Sequence, residues 1–127
     1  MTGMTDDKYR HQAKAWLAEH AADYAEPREF VEEDLVRRSK DWISLKHTAG
    51  YSAIAEPEEV GGAGGTAAQA VIFAQEEAAY HIPIFAGISI GFNMAMAALR
   101  NHGAEEQYRW FARLTYSGEI AWCQLFS

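Results

Sequence analysis

The chain has 127 residues, of which 49% are hydrophobic and 23% charged, a composition typical of one globular domain and unlike that of a disordered chain. Its formal charge is −7, with 18 acidic residues against 11 Lys and Arg residues, and the lack of a basic run argues against nucleic acid as a partner. The single cysteine, Cys123, excludes an intrachain disulfide, and the first residues, MTGMTDDKYR, lack the apolar segment of a secretory signal, so we expect a reducing, cytoplasmic location.

Two amphipathic helices are predicted in the first fifty residues. Thr5 can cap the first one, Asp6 and Asp7 suit its positive end, and Pro27 stops it. Its residues recur at steps of three and four: Tyr9, Ala13, Trp16, Leu17, His20 and Tyr24. The second helix ends at Gly50 and has one face formed by Val31, Leu35, Arg38, Trp42 and Leu45.

The connection that follows, YSAIAEPEEVGGAGGT at 51–66, has four glycines within five positions. Glycines at this density indicate unusual backbone angles or a close approach of the backbone to a neighbour. A phosphate cradle is one reading, but the loop lacks the GxGxxG spacing, no GK[ST] follows it and no strand clearly precedes it. The pattern favours a structural, tightly folded connection.

A third helix is predicted to begin after Thr66, which forms a capping box with Gln69. Pro83 is placed where a further helix can start. Residues 82–99 carry no charge over eighteen positions, close to the length of a membrane span. Because this stretch contains Pro, Gly, Ser and Asn and has no basic flank on its N-terminal side, a buried bundle helix is favoured over membrane insertion. Its small residues, Gly87, Ser89 and Gly91, leave room for a neighbouring helix or for a ligand.

The last predicted helix lies in AEEQYRWFARLTYSG, with Tyr108, Phe111, Ala112 and Tyr116 on one face and Gly118 at its end. After it, apolar and aromatic residues alternate at period two in 119–127, which predicts a strand. The expected fold class is therefore mainly α, a bundle of about five helices with a C-terminal β-strand.

No catalytic motif emerges from the residue types alone. The five histidines, His11, His20, His47, His81 and His102, form no metal-binding pattern, and we predict no metal site. Cys123 lies in an apolar stretch, which favours an inert, buried thiol. Glu76 and Glu77 are adjacent and do not share a helix face, so solvated or salt-bridged carboxylates are the favoured interpretation.

Several motifs occur in an order that resembles a known family. They are Trp42, Gly50-Tyr51, PEEVGGAGGT at 57–66, FAQEEAA at 73–79, HGAEEQYRWF at 102–111 and SGEIAWCQLFS at 117–127. Together they resemble the N-terminal helical domain of the acyl-CoA dehydrogenases, continuing into the first strand of their middle domain. The resemblance implies a helical domain over 1–118 and a truncated start of the middle β-domain at 119–127.

The resemblance also implies a chemistry and its components. Family members oxidise an acyl-CoA thioester to its α,β-unsaturated product with FAD, pass the electrons to electron-transferring flavoprotein, act in fatty acid metabolism and form oligomers. By position, flavin contacts would fall on Gln124, Leu125, Phe126 and Ser127. The helix at 84–101 resembles one that lines the acyl cavity, where Gly87, Ser89 and Gly91 would leave space for the acyl group.

The family's catalytic carboxylate belongs to a part that this sequence does not contain, so no catalytic residue is assigned. We expect the isolated chain to be inactive and the complete enzyme to need the missing domains. The alternative is a non-catalytic helical interaction module that forms oligomers or docks on a partner, because an unpaired apolar strand invites association. The sequence does not specify the acyl group.

Overall fold

The computed structural model describes residues 4–25 and 31–121, and these residues are mostly helical. We number five helices: α1, Asp6–His20; α2, Glu32–Ala49; α3, Ala67–Ala78; α4, 86–102; and α5, Glu105–Tyr116. Helix α4 has three consecutive parts, α-helical Ala86–Ile90, π-helical Gly91–Ala95 and α-helical Met96–His102. Short 3-10 turns occur at Ala21–Asp23 and Glu58–Val60. The mainly α fold of about five helices is confirmed.

The predicted C-terminal strand falls largely outside the described residues. Residues 119–121 are described and are not in a strand, and 122–127 lie beyond the described ranges. The strand and the division of the chain at residue 118 therefore stay predictions.

The helix ends follow local chemistry that the sequence carries. The Thr5 hydroxyl accepts a hydrogen bond from the Lys8 amide at 3.2 Å, at the start of α1. Helix α2 ends at Gly50 in the left-handed conformation, with φ of 85°. The capping box of α3 forms as predicted, because Thr66 and Gln69 exchange backbone-to-side-chain hydrogen bonds of 3.0 Å. These boundaries are confirmed.

The start of α4 differs from the prediction at Pro83. The helix begins at Ala86, and Phe85 before it is extended, with φ of −61° and ψ of 133°. The Phe85 amide donates to the hydroxyl of Ser39, a buried residue of α2, at 2.8 Å. This hydrogen bond satisfies an amide just before the helix and holds the 82–85 connection against α2, so Pro83 lies ahead of the helix rather than in its first turn.

Two apolar clusters hold the described helices together. The first joins α1, α2, α3 and the following loops through Tyr9, Ala13, Leu17, Ala21, Trp42, Ile54, Ile72 and Phe73. Aromatic rings dominate it: Tyr51 stacks on Phe73 with centroids 4.6 Å apart, and Trp16 lies 5.5 Å from Trp42. Pairs of this kind add about 1 kcal/mol beyond the area that they bury.

The second cluster packs the C-terminal part of α4 on α5, through Val60, Met96, Ala112 and Tyr116. The face predicted for α5 is confirmed, since Ala112 and Tyr116 are buried and Tyr108 and Phe111 pack at the edge. Arg100 joins the elements by donating to Tyr108 Oη at 3.3 Å and to Glu56 Oε1 at 3.3 Å. The hydrogen bond with Tyr108 raises the pKa of Arg100, and burial raises that of Tyr116.

Tyr9 carries a buried hydroxyl that lacks a hydrogen-bond partner among the described residues. The side chain is 1% exposed and belongs to the first cluster. Burial, with a smaller contribution from Tyr51, raises the pKa of its phenol well above the ordinary value of 10.

Within the described ranges, no helix is both long and apolar enough to cross a membrane. The uncharged stretch 82–99 is divided between the extended connection and α4. In α4, Ile88 and Met96 are buried while Ser89, Asn93 and Met94 are exposed. The helix is therefore buried on some sides and open on others, rather than apolar all round as expected.

Candidate functional site

The glycine-rich segment 61–65, which we call the glycine loop, is closed by its own backbone. Each of its five amides donates a hydrogen bond to a carbonyl of the preceding residues. The acceptors of the amides of residues 61 to 65 are, in order, the carbonyls of Glu58, Pro57, Ala53, Glu56 and Ile54, at 2.7–3.2 Å. A phosphate cradle needs free amides, and none is left here.

The glycines of the loop meet two separate demands. Gly61 and Gly64 have positive φ, 94° and 69°, which side chains adopt only at a cost. A Cβ on Gly62 would overlap the carbonyl of Glu56, and one on Gly65 would lie 2.6 Å from Gln69 Oε1. The structural interpretation of this loop is confirmed.

A depression between α2, α3, α4 and the 81–85 connection is the strongest candidate for a binding site, and we call it the groove. Its volume is about 600 Å³, within the range of small-molecule sites. Its larger apolar lining residues are Ile43, Ile82, Ile84, Ile88 and Phe92. Its polar lining residues are Lys46, Glu77, His81, Ser89 and Asn93. Many small-molecule sites combine an apolar lining with a few polar groups in this way.

An ion pair forms one wall of the groove. Lys46 Nζ and Trp42 Nε1 both donate to Glu77 Oε2, each at 2.8 Å. The Lys46 ammonium also lies 5.7 Å from the Trp42 ring centroid and 5.8 Å from that of Phe73. The side chains of Lys46 and Glu77 are 12% and 24% exposed. The pair is thus positioned by the first core cluster and partly withdrawn from water.

The neighbouring carboxylate, Glu76, points to the other side of α3. It pairs with Arg10 at 3.3 Å and with Lys14 at 3.7 Å, both on α1. Adjacent residues on a helix diverge by about 100°, so Glu76 and Glu77 reach different helices. The predicted salt-bridged role of both carboxylates is confirmed.

Three polar side chains of the groove have no hydrogen-bond partner among the described residues. They are Ser89 and Asn93 on α4 and His81 at the end of the turn after α3. All three are exposed. His81 also has a positive φ of 52°, an uncommon conformation for a residue with a side chain. These groups remain available to water or to a ligand.

The π-helical segment lies where α4 borders the groove. Phe92 and Asn93 belong to it, and both line the groove. Such segments are rare and occur frequently at functional sites. The sequence pattern did not reveal this segment, because an uncharged run of small and apolar residues shows no break in helical period.

The predicted site residues do not all lie in the groove. Ser89 lines the groove, whereas Gly87 and Gly91 are buried in α4 and are not part of the lining. The flavin-contacting set, Gln124, Leu125, Phe126 and Ser127, lies outside the described residues. No cluster of three or more potential metal-ligating side chains forms in the part of the chain that the structure describes.

A second depression, of about 520 Å³, lies between the C-terminal end of α2, the glycine loop and α5. Its polar lining is already partly engaged, because Arg113 Nε donates to the Glu59 carbonyl at 3.0 Å. It also carries Trp110, whose side chain is exposed. Its larger apolar lining residues are Trp110 and Leu114, fewer than those of the groove.

Comparison with protein families identifies the chain. The family model "Acyl-CoA dehydrogenase, N-terminal domain" matches residues 4–119. The chain belongs to the acyl-CoA dehydrogenase family. No match was found to a curated protein or to a solved structure. In this acyl-CoA dehydrogenase domain, the groove and all five helices lie within the matched residues.

Lys46, Glu77, His81 and Asn93 were not singled out as binding residues from the sequence. One usable signal was present for Lys46, which follows Trp42 by four positions and so shares its helix face. Glu77 was considered together with Glu76 as a possible general base and interpreted as a solvated or salt-bridged carboxylate. Because the two members of the pair are 31 positions apart on different helices, local spacing could not bring them together.

Proposed function

We propose that the chain is the N-terminal portion of an FAD-dependent acyl-CoA dehydrogenase, an enzyme that introduces an α,β double bond into an acyl-CoA thioester. The carrying observation is the largely apolar groove of about 600 Å³ beside α4, within a chain of this family. In this proposal the groove forms part of the wall around the acyl group, with Ser89 facing it. Gly87 and Gly91 would act by letting α4 pack closely on its neighbours.

The isoleucines and Phe92 of the groove would bind the acyl chain and exclude water from it. Each methylene group withdrawn from water contributes about 0.8 kcal/mol. The fixed Lys46–Glu77 pair would limit where the chain can lie, because an alkyl segment placed over the pair would desolvate both charges. The described residues thus supply binding and orientation.

The catalytic base would come from outside the described residues. Glu77 is the one carboxylate in the groove lining that the structure describes. Its Oε2 accepts two hydrogen bonds, from Trp42 and from the Lys46 ammonium, so the protein's own donors already engage this carboxylate. We therefore propose that the isolated chain does not dehydrogenate acyl-CoA.

Residues 119–127 would begin the middle β-domain and contribute Gln124, Leu125, Phe126 and Ser127 to the flavin site. FAD, when bound, supplies the hydride acceptor of the family's reaction. The closed glycine loop offers no free amide for its phosphates, so this loop would contribute little to holding the cofactor. Electron-transferring flavoprotein would be the acceptor and a homo-oligomer the working assembly.

The groove assignment is tested by titrating the ¹⁵N,¹³C-labelled chain with octanoyl-CoA and following the isoleucine methyl resonances by NMR. We expect saturable shifts at Ile84 and Ile88. Ser89→Trp, at an exposed position in the groove, should abolish them. The matched control Asn101→Trp, at an exposed position on α4 outside the lining, should not.

Two parallel assays complete the test: turnover with an artificial electron acceptor, and light scattering. No turnover above a no-enzyme control is expected. Clear turnover would contradict the proposal that the isolated chain lacks a catalytic base. A stable oligomer with no acyl-CoA shifts would instead support the helical interaction module.

A further inference from the structure

The Lys46–Glu77 ion pair of the groove has hydrogen-bond donors and acceptors that the protein itself does not use. Both protein donors go to Glu77 Oε2, and Glu77 Oε1 has no hydrogen bond within the described residues. Oε1 is also not closed off from solvent-accessible space, unlike the hydroxyl of Tyr9. An ammonium has three protons, and Lys46 uses one of them on Glu77. The wall therefore presents an unused acceptor beside unused donors.

The charges of this wall cancel. Lys46 and Glu77 are 2.8 Å apart and form a neutral pair, and the facing α4 wall carries the uncharged Ser89 and Asn93. His81 is the remaining titratable group in the lining and is exposed. A charged ligand group would be attracted by one member of the pair and repelled by the other. A neutral group that both donates and accepts fits both members.

We infer that the groove takes an acyl group that carries a hydroxyl, with the hydroxyl donating to Glu77 Oε1 and accepting from Lys46 Nζ. This inference rests on the proposed function and specifies its substrate class as hydroxyacyl thioesters. The apolar lining of the groove and the partial burial of the pair lower the local polarity, which strengthens such hydrogen bonds. An unsubstituted chain in the same place would cover both groups and leave Glu77 Oε1 and the remaining Lys46 protons without hydrogen-bond partners.

Lys46 and Glu77 are thus assigned as specificity-determining residues. Trp42 is a positioning residue, because its indole donates to Glu77 Oε2 and leaves Oε1 without a donor among the described residues. Its Nε1–H is also a built-in reporter, since any ligand bond to Glu77 changes the hydrogen bond that the indole makes. The chain has four tryptophans, so four indole resonances are to be assigned.

The experiment compares matched pairs of probes on the full chain: hexanoyl-, octanoyl- and decanoyl-CoA, each against the acyl-CoA of the same length with a terminal hydroxyl. Binding is measured by calorimetry, and the indole resonances by ¹⁵N NMR. For at least one length we expect the hydroxylated probe to bind about 10-fold more tightly. We also expect it to shift the Trp42 indole resonance, which its unsubstituted counterpart should leave in place.

Two variants test whether the preference for the hydroxylated probe depends on the Lys46–Glu77 pair. Lys46→Met keeps the apolar stem and removes the donors, and the preference for the hydroxylated probe should fall to about twofold or less. The control Glu76→Gln changes the adjacent carboxylate, which pairs with Arg10 away from the groove, and should keep the preference. The wild-type comparison stands without either variant if Lys46→Met folds poorly.

The outcomes separate this inference from the proposed function. Equal binding of both probes at every length, with isoleucine shifts in the groove, would overturn the hydroxyl preference and leave the acyl site standing. Tighter binding of the hydroxylated probe without a Trp42 shift would also overturn it, because the hydroxyl would then be recognised elsewhere. No binding of either probe would overturn both proposals.

Discussion

The glycine loop and the groove both gather polar groups at the surface, but they differ in how many of those groups the protein uses itself. Every amide from Gly61 to Gly65 is bonded to the chain's own backbone. In the groove, Ser89, Asn93 and Glu77 Oε1 have no partner among the described residues. The loop has the more suggestive sequence and the groove the more available chemistry. Unsatisfied accessible groups, rather than glycine density, therefore indicate where a ligand can bind.

The largest expected effect is on stability and comes from the loop. Gly62→Ala should lower the free energy of unfolding by about 3 kcal/mol, because its Cβ would overlap the rigid Glu56 carbonyl. Urea denaturation followed by circular dichroism measures this. Gly50→Ala is the matched control: its Cβ would meet nothing within 4 Å, so only the positive φ costs, about 1 kcal/mol. Equal losses for the two variants would show that the loop is not closely packed.

The ion pair of the groove wall should come second, since it joins α2 to α3. Lys46→Met should lower the free energy of unfolding by about 2 kcal/mol, a value reduced from that of a fully buried pair because both partners are partly exposed. Thermal unfolding by calorimetry measures it. A variant as stable as the parent would indicate that Glu77 is well hydrated, and the groove would then be wetter than its lining suggests.

A third prediction concerns a polar group that is unpaired but closed in, unlike those of the groove. Tyr9→Phe should raise the free energy of unfolding by about 1 kcal/mol, because it removes a buried hydroxyl without a described partner. The gain should widen above pH 10. There the unfolded phenol loses its proton while burial keeps the folded one protonated, so the parent loses stability as pH rises.

Urea titrations at pH 7, 9 and 11 test this pH dependence. Tyr116, whose phenol pKa burial also raises, is present in both proteins and contributes equally to them. Parallel pH curves for the two proteins would mean that the Tyr9 hydroxyl is ionised as readily in the folded chain as in the unfolded one.

The smallest expected effect on stability comes from Ser89, on the α4 side of the groove. Ser89→Ala should change the free energy of unfolding by no more than about 0.5 kcal/mol, since the hydroxyl is exposed and makes no hydrogen bond in the described structure. Differential scanning fluorimetry is sensitive enough for this comparison. A loss above 1 kcal/mol would show that Ser89 supports the fold rather than standing free.

Sequence reasoning succeeded where the determining chemistry is local. The cap at Thr5, the left-handed stop at Gly50 and the Thr66–Gln69 box are each set by residues within a few positions of one another. The family resemblance, carried by motifs across the chain, is confirmed by the match over 4–119. Ser89, which was predicted to leave room for a ligand, lines the groove, and its part in a substrate pocket stays a prediction.

What the sequence did not reveal depends on distant contacts. The beginning of α4 is set partly by a hydrogen bond from Phe85 to Ser39, 46 positions earlier. The Lys46–Glu77 pair joins α2 to α3 directly, and Trp42 of α2 donates to the same Glu77 oxygen. Gly87 and Gly91 were placed beside the acyl cavity because the helix at 84–101 resembles one that lines it. Both are buried in α4, and their part in a substrate pocket stays a prediction.

The π-helical segment Gly91–Ala95 determines how α4 would respond to a deletion in its sequence. Before it, Ile88 and Ser89 face the groove; after it, Met96 and Leu99 pack in the second cluster. A π-turn accommodates one residue more than an α-turn, and one residue corresponds to about 100° of rotation. The segment therefore sets the rotational phase between two surfaces of one helix, and a single-residue deletion there would rotate Ile88 and Ser89 relative to Met96 and Leu99.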